Sequence, residues 1–182
     1  MTPRLKIAFI VIVAVQVLVL IGFIADREYT LRTGTEVVLQ TVPIDPRSLF
    51  QGDYVILDYE IATAEWYIDI PVGTTLYLSL TEAGDVWEAE SYGESKPPEN
   101  DAVFIKGTVD RPGHLDFGIG TYFVPEGTGL LVERTSDVKV IASVDDRGKA
   151  VIKDVVLDGV PFNEARKLKA EAEKEADPPP QR

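Results

Sequence analysis

Residues able to do acid–base or nucleophilic chemistry are scarce in this chain. It has one histidine, His114, and no cysteine. The lack of thiols removes disulfides, thiolate nucleophiles and cysteine metal sites together. His114 stands two residues before Asp116 in the alternating stretch "HLDFGI", residues 114–119. A His-x-Asp pair offers two metal ligands, or a base with a neighbouring carboxylate. A zinc-type centre needs three or four protein ligands, and there is no second histidine to supply them. Next to the Arg111-Pro112-Gly113 turn, His114 is expected to face solvent. A second arrangement pairs Ser48 with Lys106, a hydroxyl and an amine that act as nucleophile and base only at about 3 Å. Lys106 alternates with Thr108 and Asp110, the pattern of a solvent face. No Gly-x-Ser-x-Gly elbow occurs, and the short "GTG" and "GIG" pairs fall well short of a phosphate-binding or dinucleotide-binding loop. Acidic loops suit Ca²⁺ in ligand type, yet EF-hand spacing is absent. The residues complete no catalytic set and imply no cofactor and no metal.

The elements that would position these side chains are mainly β. From residue 36 to 162, apolar runs stand at 36–44, 53–61, 74–80, 85–92, 102–110, 114–119, 138–144 and 149–157, with alternation clear in 53–61, 74–80, 102–110, 114–119 and 138–144 and weaker in 85–92. Such alternation, rich in β-branched and aromatic residues, predicts strands. Turn residues separate them: Arg111-Pro112-Gly113, Asp145-Asp146-Arg147-Gly148 and Asp158-Gly159. The expectation is one antiparallel β sandwich or partly closed barrel over residues 36–162. Residues 125–136 could form a helical turn or two. Residues 163–182 change character: helix formers with paired charges and one large apolar residue, Leu168, read as a solvated charged helix or tail.

Ahead of the β region, residues 7–25 carry no charge and one polar side chain, Gln16. Nineteen helical residues reach roughly 28 Å, close to the thickness of a bilayer core. A cleaved signal peptide would have a shorter apolar core and small residues before the cut. A cut after Ala25 would put Phe23 at the third position before it. An uncleaved transmembrane helix is therefore expected, with residues 1–6 as a cytoplasmic tail and 26–35 as a connector. Arg4 and Lys6 precede the span, which places the N-terminus in the cytoplasm and the β domain outside it. The net charge of −12 disfavours nucleic acid as a partner, and the two basic residues ahead of the span leave the remainder more acidic still. The lipid bilayer is the partner the sequence names most directly.

One stretch stands out, "SLFQGDYVILDYEI" at residues 48–61. Gly52 permits a positive-φ turn and Asp53 can close it on nearby backbone N–H groups. Val55, Leu57, Tyr59 and Ile61 then share a core face, with the Tyr59 hydroxyl expected to find a buried partner. Tyr54, Ile56, Asp58 and Glu60 share the other face. A turn that fixes strand register is the reading these residues support. Asp45, Arg47, Tyr122 and Glu126, with Asp53, form a candidate interaction rim.

Two family resemblances attach to this stretch. In outline, with a terminal span followed by an outer β domain, the chain resembles type I signal peptidases. Leu49, Gly52 and Asp53 fall in the spacing of their Ser-Met-x-Pro-Thr-Leu-x-x-Gly-Asp motif, but the position of the nucleophilic serine holds Ile44 and the proline position holds Arg47. The fuller match is Gly52-Asp53-Tyr54-x-x-Leu57-x-Tyr59, which satisfies every fixed position of the signature after which the GDYXXLXY family is named. "GIGTYFVPEGTG" (118–129) and "DDRGKAVIKDVVLDG" (145–159) are similar to further typical segments of that family. This resemblance, over roughly residues 36–160, implies a protein anchored in the bacterial cytoplasmic membrane, in some cases beside polytopic membrane proteins, and assigns no catalytic residue. Three functions fit: a membrane-tethered extracytoplasmic interaction or assembly module, partnered by a polytopic membrane protein or an envelope component; a Ser/Lys hydrolase or degenerate relative of signal peptidase; and a sensor of small ligands or cations.

Overall fold

The computed structural model describes residues 3–42, 54–98 and 102–176. The elements run α1 (Pro3–Thr33), β1 (Thr35–Val42), β2 (Tyr54–Ile56), β3 (Asp58–Tyr59), 3₁₀ turns at Glu60–Ala62 and Glu65–Tyr67, β4 (Thr75–Ala83), β5 (Val86–Gly93), β6 (Phe104–Arg111), β7 (His114–Asp116), β8 (Thr121–Phe123), α2 (Gly129–Glu133), β9 (Val138–Val144), β10 (Ala150–Leu157), β11 (Val160–Pro161) and α3 (Phe162–Ala176). Every strand pairing is antiparallel. One sheet has the order β11-β10-β9-β1-β3, a second β5-β4-β6-β7, and β2 and β8 form a two-stranded ribbon. The fold is mainly β, with antiparallel sheets, one half-barrel, an apolar N-terminal helix and a short C-terminal helix.

The inward faces of the sheets share one core. Val37 and Leu39 of β1, Leu76 and Leu78 of β4, Ile105 and Val109 of β6, Val140 of β9 and Val155 of β10 are all buried within it. Each follows the two-residue alternation read from the sequence, because successive strand side chains point to opposite faces. The three expected turns are present. Gly113 and Gly148 take positive φ in their hairpins, and Asp158 and Gly159 both do so in the last one.

Three expectations need correction. Residues 26–33 continue α1 rather than forming a separate connector, and α1 meets β1 across the single residue Gly34. The run at 53–61 is not one strand. β2 pairs with β8, β3 pairs with β1, and Leu57 crosses between the two sheets. The run at 114–119 is strand only through Asp116. The chain bends at Gly118, where φ is 73°, and returns as β8, a strand without a signal in the periodicity. Helix α3 is exposed at Leu168 as expected, but its first residue, Phe162, is buried and fixes it to the core.

Within α1, Lys6–Thr33 is long and apolar enough to cross a membrane, and none of its most apolar window is buried within the chain.

Candidate functional site

The signature strand is fastened to one segment, residues 114–120, at three successive positions. The Leu57 N–H donates to the Gly120 carbonyl at 2.9 Å. Asp58 Oδ1 lies 3.0 Å from His114 Nε2. The Tyr59 hydroxyl donates to the Ile119 carbonyl at 2.7 Å. Leu57 and Tyr59 are buried, and the Tyr59 ring meets Phe117 edge-on with centroids 6.3 Å apart. Burial, helped by the nearby Asp58 and Asp116 carboxylates, raises the Tyr59 phenol well above its ordinary pKa, so it stays a neutral donor.

His114 is the centre of this attachment, and its expected exposure to solvent is wrong. It is 9% exposed. The β6–β7 hairpin folds against the 3₁₀ turn after β3, and an isolated antiparallel bridge joins the backbones of Thr63 and His114. The ring lies between two carboxylates, with Nδ1 2.5 Å from Asp110 Oδ1 and Nε2 on Asp58. Arg111 completes the cluster, 3.2 Å from Asp110 and 3.6 Å from Asp58. Burial pushes the Asp110 carboxyl up, but the hydrogen bond and charge of His114 and the charge of Arg111 outweigh it, and the net effect holds Asp110 below the ordinary carboxylate range.

The cluster opens onto a pocket of about 330 Å³, lined also by Ile56, Asp116 and Phe117. Among the described residues, no serine, threonine, cysteine or lysine lines it. Each nitrogen of the histidine ring lies against a carboxylate oxygen, so the ring is held at both ends by groups of the protein. Among the described residues, no group of three or more His, Cys, Asp or Glu side chains is arranged to hold a metal. As built, the arrangement binds protein to protein: it clamps the signature strand to the β6–β7 hairpin.

The sequence missed this site. Asp58 occupies a variable position of the signature, and its partner is 56 residues away. The one available signal was an acidic residue beside a lone histidine in a chain with a single histidine, and spacing does not pair the two.

The other candidates scatter. Gly52, Asp53, Asp45, Arg47 and Ser48 lie outside the described residues, so the Ser48–Lys106 pair is not described either. Lys106 is exposed on β6, with its backbone N–H bonded to Gly148. Tyr54 pairs with Phe123 across the β2–β8 ribbon. Tyr122 points inward, half-buried, its ring 5.8 Å from Phe162 and nearly perpendicular to it. Burial raises its phenol, with the Asp154 charge adding to the effect and Arg166 opposing it. Glu126 is exposed in the turn before α2. Tyr122 thus packs against the core, while the other members of the expected rim, Asp45, Arg47 and Asp53, lie outside the described residues.

A second polar centre joins α1 to the sheet. Thr30 is fully buried and donates to Asp145 Oδ2 at 3.0 Å, while Ser143 Oγ donates to the Thr30 carbonyl at 2.7 Å. Asp145 also accepts the backbone N–H groups of Arg147 and Lys149 at 2.9 and 3.0 Å and the Arg147 guanidinium at 2.6 Å. Arg147 and Lys149 both reach back to Asp26 on α1. Gly34 is required here: an added Cβ would lie 2.4 Å from Ser143 Oγ and 2.7 Å from the Thr30 carbonyl.

The pattern that defines the GDYXXLXY protein family matches residues 16–155. The chain belongs to this family. The match takes in α1 from Gln16 onward, the signature strand, the clamp and the junction. No curated protein and no solved structure matches the chain.

Proposed function

We propose that this GDYXXLXY protein is a membrane-tethered extracytoplasmic interaction module, a non-enzymatic domain that binds a polytopic membrane protein or an envelope component. The supporting observation is α1 itself. Its large apolar residues from Ile7 to Ile24 are exposed all round, while Thr30 is fully buried in the β domain. An apolar helix with no cover in its own chain suits a bilayer, and the polar junction that follows holds the domain against it. Arg4 and Lys6 favour a cytoplasmic N-terminus. The clamp around His114 supports the same reading, since its polar groups are spent on each other.

Gentle detergent extraction of the tagged protein from its own membranes, followed by mass spectrometry, tests the partner. The expected result is a reproducible membrane or envelope protein whose recovery falls in Asp53→Ala and Arg47→Ala variants that still fold. Clean recovery of the protein alone in repeated extractions would sink the interaction reading. For orientation, a cysteine placed at the exposed Glu126 should react with a membrane-impermeant maleimide in intact cells. Labelling only after lysis would reverse the topology.

A further inference from the structure

The β2–β8 ribbon is apolar or aromatic on both faces except for the exposed Thr121. Across it Tyr54 faces Phe123, Val55 faces Tyr122 and Ile56 faces Thr121. Val55 and Tyr122 turn inward. The outer face presents Ile56 at 49% exposure and Phe123 at 80%, with the Tyr54 ring 6.3 Å from that of Phe123. A phenylalanine this exposed beside a second aromatic and an isoleucine requires a covering surface.

The position of the ribbon relative to α1 points to that surface. Arg27 of α1 and Phe123 line the same opening, together with Gly118 and Gly120. Arg27 is the second residue past the apolar run, so on a helix it lies only about 3 Å beyond the run's end. The headgroup layer of a bilayer is about 5–8 Å deep on each side. Aromatic side chains concentrate at that depth. The opening itself carries one charge of each sign, Arg27 and Asp116, in a chain that as a whole carries −12. Asp26, at the end of the run, is neutralised by Arg147 and Lys149, and Arg147 also lies over the Tyr29 ring.

Building on the reading of α1 as a membrane anchor, we propose that the outer face of the β2–β8 ribbon rests on the headgroup layer of the bilayer that α1 crosses, with Phe123 and Tyr54 as interfacial anchors. The ribbon is then a second point of contact with the membrane, and Tyr54 of the signature has a role beyond strand register.

The full chain has no native cysteine, so single cysteines carry a fluorophore cleanly. Phe123→Cys and, separately, Leu18→Cys are labelled and the protein is placed in lipid nanodiscs. Each label is exposed to a lipid-borne nitroxide quencher and to iodide in water. The expected result is quenching of both labels by the nitroxide, with blue-shifted emission at 123 and weak iodide quenching there. If the label at 18 responds to lipid while the label at 123 responds mainly to iodide, the ribbon projects into water and the proposal fails with the anchor intact. Protection of the label at 123 from both quenchers means that protein covers it, which also overturns the proposal. Failure of the label at 18 to sense lipid removes the anchor, and the ribbon's placement falls with it.

Discussion

Asp145 and Asp58 both tie separate elements together, and they are built in opposite ways. The Asp145 side chain is 1% exposed, and most of its partners come from its own turn, within four residues. Thr30 alone arrives from a distance. The Asp58 side chain is 19% exposed and depends on His114 and Arg111, more than fifty residues away on the β6–β7 hairpin. The β9–β10 turn can therefore present a formed acceptor before α1 docks on it. Asp110, Arg111 and His114 can pair within the hairpin, but the Asp58 half of the clamp exists only once β3 and the hairpin are both in place. The first centre is closed; the second borders an open pocket.

The sharpest way to break this contrast is Asp145→Ala. It strands two backbone N–H groups and leaves the buried Thr30 hydroxyl only the Asp26 carbonyl at 3.2 Å, and it should cost about 3 kcal/mol in thermal unfolding of the full chain in micelles. A loss under about 1 kcal/mol would mean that the junction is not built on this carboxylate. Its pH dependence has a definite sign. Burial pushes the Asp145 carboxyl up, but Arg147, the Lys149 N–H and Thr30 outweigh that, and the folded-state pKa lies below the ordinary value. The stabilisation is then complete above the unfolded aspartate pKa of about 3.9 and is lost as pH falls through the lower folded value. Stability measured against pH should fall in strong acid, and Asp145→Asn should flatten that fall.

A smaller effect, about 2 kcal/mol, is expected for His114→Ala, which leaves Asp58 and Asp110 without the ring between them. The pairing sharpens the comparison. Asp58→Asn and His114→Gln should be non-additive in denaturant unfolding, whereas Asp145→Ala and His114→Gln should add within about 0.5 kcal/mol, as independent sites do. Coupling between the two centres would show that clamp and junction act as one unit. Tyr59→Phe removes one buried hydrogen bond and should cost about 1 kcal/mol in the same assay. Least of all, Glu28→Gln breaks the exposed helix pair with Arg32 and should change stability by no more than about 0.5 kcal/mol.

The two centres were also unequally visible in the sequence. Alternation placed Val37, Leu39, Leu76, Leu78 and Val140 on inward faces, because period and burial are the same fact in a half-buried strand. The Asp145–Gly148 turn could be read for the same local reason. Residues 26–33 could not be read as docked helix, since Thr30 is buried only by a contact 115 residues away. The split of 53–61 between two sheets left no trace either: Val55, Leu57 and Tyr59 alternate unbroken through it, and only the partners β8 and β1 differ. The clamp was missed because Asp58 and His114 are 56 residues apart, and the alternation that grouped Tyr54 with Asp58 could not say that one meets solvent's edge and the other a histidine.

Gly34 is the whole of the link between α1 and β1, and it sets a phase relationship. A helix turns about 100° and rises about 1.5 Å with each residue. One residue inserted between Ala25 and Thr30 would swing the whole β domain by that angle about the helix axis, with hardly any change in height. The length of α1 therefore acts as a rotational setting: it decides which side of the domain faces outward from the helix axis and which looks back toward it.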